Sequence, residues 1–118
     1  MRMMIAAILV MASSVALADE VEDAHRLAVT GRDSYWNCLA REYPRDANKA
    51  MSEQDFTSLI ARACASERQN FRTSLVDFLT LQFPGAEDGT HLATANRAIA
   101  LAQKDIVTAF VRRKAAAK

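Results

Sequence analysis

Glycine, proline, histidine and cysteine are all scarce: the chain has three, two, two and two of them among 118 residues. Three glycines are too few for the tight backbone approaches of a phosphate cradle. Neither a glycine-rich phosphate loop nor a G-x-S-x-G elbow is present. The two cysteines form neither C-x-x-C nor C-x-x-C-H, which excludes thiol exchange and covalent haem on their usual motifs. The histidines and cysteines are too few and too scattered for a zinc site. A predominant sign of charge is also missing, with 15 basic against 14 acidic residues, and that balance argues against a general nucleic-acid binder. No cofactor is expected.

The N-terminus has the three-part layout of a secretory leader. Arg2 supplies the positive charge, Met3 to Met11 is almost wholly apolar, and Ala16-Leu17-Ala18 puts small residues at a cleavage position before Asp19. Residues 1–18 are therefore read as a signal peptide and 19–118 as the mature helical domain. The apolar run, about 15 residues, is shorter than the ~20 that span a bilayer. Arg2 leaves with the leader, so the mature chain of 100 residues is formally neutral. No membrane span is expected after cleavage, and the expected location is periplasmic or secreted.

The remaining pattern is helical. Asp19, Glu20, Glu22 and Asp23 place negative charge where a helix begins. Behind them, Val21, Ala24, Ala28, Tyr35, Cys38 and Leu39 form one apolar stripe, and His25, Val29, Trp36 and Tyr43 a second beside it. This predicts helix 1 over about 19–43, ended by Pro44. Thr30 to Ser34 is the alternative place for a turn, but the apolar phase carries across Gly31 unchanged. Ser52 reads as an N-cap with Asp55 three residues on, and helix 2 is predicted over about 53–83, ended by Pro84-Gly85. Its stripe is interrupted at Glu67 and Arg68. Helix 3 is predicted over about 90–114 with a heptad seam of Leu92, Ala95, Ile99, Ala102, Ile106, Ala109 and Arg113. The expected fold is all-α, three long helices in an up-down-up antiparallel bundle.

Two cysteines in an exported chain predict one disulfide, Cys38–Cys64, joining helices 1 and 2. A loop of 26 residues closed in this way stabilises the fold by ~3.5 kcal/mol on the chain-entropy estimate. In the implied register Gly31 meets Phe71, Tyr35 meets Glu67, and Ala24 meets Phe78.

No residue cluster carries a specific chemistry. Leu79-Thr80-Leu81-Gln82 falls one residue short of the L-T-x-x-Q signature of small helical periplasmic chaperones, and nothing else in the chain follows that family. The feature that stands out is excess apolarity: Leu75, Val76, Phe78, Leu79, Leu81 and Phe83 put six large apolar residues into nine positions. One helix face cannot bury them all. Trp36, Val76, Leu79, Leu81 and Phe83 are accordingly the candidate interaction surface, for a protein partner, self-association or an apolar ligand. The expectation is a non-enzymatic binding or structural protein. The alternative is a small metal carrier or enzyme using His25, His91 or Glu67.

Overall fold

The computed structural model describes residues 2–117, with side chains described from residue 16 onward. The side chains of Arg2 and of Met3 to Met11, on which the leader reading partly rests, lie outside the described residues. The chain is all-helical, with no strand among the described residues. It comprises α1 (Arg2–Ala40), a single 3-10 turn (Asp46–Asn48), α2 (Glu53–Arg62), α3 (Ala65–Gln82) and α4 (Thr90–Ala116).

Helix α1 runs unbroken through Gly31 and ends three residues short of the expected boundary. Gly31 is buried where α1 presses on α3, and a Cβ there would lie 3.1 Å from the Phe71 Cα. The close approach explains a glycine inside a helix. Ser52 caps α2 as expected, its Oγ accepting from the Asp55 backbone N–H at 3.1 Å. In the connector, buried Asn48 is satisfied by donating to the Glu42 carbonyl at 2.8 Å and to Glu42 Oε2 at 3.2 Å.

Among the described residues the bundle has four α-helices, not three. The predicted second helix is broken at Ala63, which is extended (φ −68°, ψ 153°), and Cys64, which is left-handed (φ 57°, ψ 46°). A left-handed non-glycine residue costs about 1–2 kcal/mol, so the surroundings must hold it there. Two groups do so. The Cys64 sulfur is bonded to Cys38 with the Cα atoms 6.2 Å apart, and Arg68 donates to the Ala61 carbonyl at 2.5 Å, a group that a continuing helix would have used. Glu67 and Arg68 interrupt the stripe because a new helix starts there. Glu67 stands in its first turn, where negative charge is favoured. The disulfide consequently ties α1 to the start of α3, not to one long second helix.

The break re-aims α2. Helix α3 lies antiparallel on α1, while α2 packs chiefly on the C-terminal half of α4, where Phe56 stacks on Phe110 with ring centroids 3.9 Å apart. The N-terminal half of α4 pairs with α3, and Arg72 donates to Asn96 Oδ1 at 2.9 Å. The core combines Tyr35 and Leu39 from α1, Phe56 and Ile60 from α2, Phe71 from α3, and Ile99, Ala102, Ile106 and Phe110 from α4.

Two contacts differ from the expected register and seam. Tyr35 does not pair with Glu67: its hydroxyl accepts from Gln103 Nε2 at 3.0 Å, and its ring lies 6.4 Å from that of Phe71. On α4 the buried stripe runs Ala95, Ile99, Ala102, Ile106, Phe110, leaving Leu92 and Arg113 exposed and Ala109 half-buried. A straight helix repeats every 3.6 residues rather than 3.5, so a heptad seam drifts off the buried face.

Candidate functional site

Because α1 and α3 are antiparallel, residues 20–27 lie beside residues 74–81. Phe78 meets His25 there, with ring centroids 5.0 Å apart. Helix α4 begins at the same end of the bundle. Among the described side chains, the large apolar residues Leu27, Phe83 and Leu92 stand exposed here. Leu27 is 64% exposed, Phe83 54% and Leu92 47%, so these are not edges of the core.

Two hollows flank the last turns of α3, and Thr80 lines both. On the α1 side a groove of about 500 Å³ has Ala24, Leu27 and Leu81 as its apolar floor and Glu20, Asp23 and Asp77 on its walls. On the α4 side a hollow of about 390 Å³ lies among Val76, Pro84 and Leu92, with Glu87 and Asp88 beside it. Neither hollow is lined by a lysine or arginine. Asp23 is met by Arg26 at 3.5 Å, but both groups are exposed, so the pair screens only part of the negative field. The Thr80 hydroxyl is already used, donating to the Val76 carbonyl at 2.8 Å. Apolar contact and acidic charge are what this end offers.

The predicted surface residues are distributed unevenly. Phe83 is exposed and Leu81 lines the groove, half-buried. Val76 and Leu79 are half-buried, and Val76 lines the second hollow. Trp36 is half-buried and packs against the core, away from this end. Leu27 and the acidic wall were not anticipated. Leu27 belongs to neither apolar stripe of α1, and that was its available signal.

The groups considered for catalysis or metal binding go to separate places. His25 is exposed and lies on the Phe78 ring. His91 Nε2 lies 3.1 Å from the Phe83 carbonyl and ties the start of α4 to the turn before it. Glu67 sits with Cys38 and Cys64, their ligand atoms all within 4.8 Å of one another, but both sulfurs are committed to the disulfide. No helix among the described residues is long and apolar enough to cross a membrane. Comparison with known protein families, with characterised proteins and with solved structures finds no match to this chain.

Proposed function

We propose that this is an exported, non-enzymatic binding protein that holds a cationic, apolar segment of another protein across the end formed by α1, α3 and the start of α4. The observation that carries this reading is the groove with Leu27 and Leu81 on its floor and Glu20, Asp23 and Asp77 on its walls, beside exposed Phe83. Exposed leucine and phenylalanine side chains clustered at one end are an interaction surface more often than a solvated one. An acidic wall selects a basic partner and raises its rate of encounter. Export is supported by the leader-like N-terminus, by the Cys38–Cys64 bond, and by where packing begins. Residues 16–20 are all exposed, and among the described side chains the first half-buried position is Val21, just past the expected cleavage point.

The test is an NMR titration of the oxidised protein with a cationic amphipathic peptide and with an acidic peptide of the same apolar pattern. The cationic peptide should shift amides in residues 20–27, 74–83 and 90–92. D23N/D77N should weaken it about tenfold, and F83S should weaken it at unchanged fold. Equal binding of the acidic peptide, or shifts confined to other surfaces, would refute the reading. A molar mass that rises with concentration and falls to the monomer in F83S would assign the surface to a second copy instead.

A further inference from the structure

The opposite end of the molecule carries a different cavity. Its volume is about 250 Å³ and it lies between the connector and the last turns of α4. Phe110 and Tyr43 line it with their rings, Ala117 adds a methyl group, and Lys49, Arg113 and Lys114 supply charge. The floor is rigid, since Phe110 is buried and stacked on Phe56. Lys114 bridges the two walls by donating to the Met51 carbonyl, with its ammonium 5.4 Å from the Phe110 ring centroid. The Arg113 guanidinium stands over the Tyr43 ring, 5.9 Å from its centroid.

The charges do not cancel. Asp46 meets Lys49 at 2.8 Å, whereas neither Arg113 nor Lys114 forms an ion pair among the described residues. Glu42, at the edge of the connector, is engaged by Arg45 and Asn48. The C-terminal end of α4 contributes a partial charge of roughly −0.5. Among the described residues, three cations against one carboxylate and that partial charge leave an excess of about one and a half positive charges. Completing a helix dipole needs lysine or arginine in the last turn; it does not need an apolar chamber between two aromatic rings. The combination suits a monoanion with an apolar body. At about 30 Å³ per water, the cavity has room for roughly eight waters, the size of an arene or a short acyl chain.

We infer that the cavity between Tyr43, Phe110 and Ala117, rimmed by Lys49, Arg113 and Lys114, binds a small apolar carboxylate. The hydrocarbon is bounded by Tyr43, Phe110 and the Ala117 methyl, and the Arg113 and Lys114 cations take the carboxylate. This site is independent of the groove at the other end of the bundle.

The experiment is a titration of the oxidised protein with octanoate, and with octanol as its uncharged counterpart, followed by NMR at the Tyr43 and Phe110 rings and the Ala117 methyl. Octanoate should shift all three and bind at least tenfold more tightly than octanol. R113Q and K49Q, both at exposed positions, should keep the fold and narrow that gap, R113Q the more. Equal binding of octanol, shifts only at distant residues, or no response up to millimolar octanoate would each overturn the inference.

Discussion

Replacing Gly31 by alanine sets two effects of known size against each other. In a helix interior alanine is better than glycine by about 1 kcal/mol. The position is not free, however. The new Cβ would lie 3.1 Å from the Phe71 Cα, 3.5 Å from its nitrogen and 3.7 Å from the Asn70 carbonyl oxygen. Carbon atoms pack best at about 3.5–4.0 Å, and the obstacle is backbone, which cannot turn aside as a side chain would. Helices α1 and α3 must separate by several tenths of an ångström, and overpacking of this kind costs about 1–3 kcal/mol. The cost exceeds the gain, so G31A should destabilise by roughly 1 kcal/mol. G31V, larger and β-branched, should destabilise by about 3 kcal/mol.

Urea unfolding of the oxidised protein measures this as a lower midpoint at unchanged m-value. Gly85 is the internal control, because a Cβ there meets nothing within 4 Å. G85A should leave the midpoint where it is or raise it slightly. If G31A were stabilising by the amount typical of an unpacked helical glycine, the close approach of the two helices would be refuted.

Two further predictions concern the cross-link and the connector. C38S/C64S should lose about 3.5 kcal/mol, the chain-entropy value for a closed loop of 26 residues; an unfolding midpoint equal to that of the oxidised protein would show that the bridge does not constrain the unfolded chain. The hydrogen bond and charge of Lys49 beside Asp46 hold the Asp46 carboxyl below the usual carboxylate range, with a smaller contribution from Arg113. A depressed folded pKa gives stability that is present above the unfolded pKa and lost as pH falls through the folded one. The effect is thus confined to the acid side of the usual carboxylate range. Carboxyl NMR should show Asp46 titrating below that range and returning towards it in K49Q; no change in K49Q would remove Lys49 as the cause.

The helices were legible where the signal is local. Pro44 and Pro84 each lie beyond a helix end, Ser52 caps α2, and the periodic stripes gave the all-α class, whereas the acids at 19–23, expected in a first turn, lie inside a helix that begins at Arg2. Cys64 was legible as a partner of Cys38 but not as a break, because neither Ala63 nor Cys64 is a residue type that interrupts helices. The left-handed turn is imposed from outside by the bond to Cys38 and by Arg68 reaching the Ala61 carbonyl. The interruption at Glu67 and Arg68 was visible but read as a flaw in one stripe rather than the start of a new helix. Leu92 and Ala109 were misplaced by taking a heptad literally where the buried stripe runs Ala95, Ile99, Ala102, Ile106, Phe110. The apolar half of the candidate surface could be read from the excess around Leu81 and Phe83. Its acidic half could not, since Asp23 and Asp77 become neighbours only when α3 lies on α1.

The same helix pair links stability to the proposed function. The groove is a gap between α1 and α3, so its width follows the separation of the two helices. The disulfide fixes the separation at Cys38, and the glycine contact fixes it again at Gly31. With the bridge as pivot, Gly31 lies about 10 Å along α1 and Leu27 about 16 Å, at ~1.5 Å per residue. A spread of about 0.3 Å at Gly31 therefore becomes roughly 0.5 Å at the groove floor, on the lever arms just given. Substitutions at Gly31 should then alter partner binding without touching a groove residue, whereas the carboxylate cavity, built on α4 and the connector, should be indifferent to them. On the proposed function, the glycine that lets α1 approach α3 would also set the surface that the two helices present.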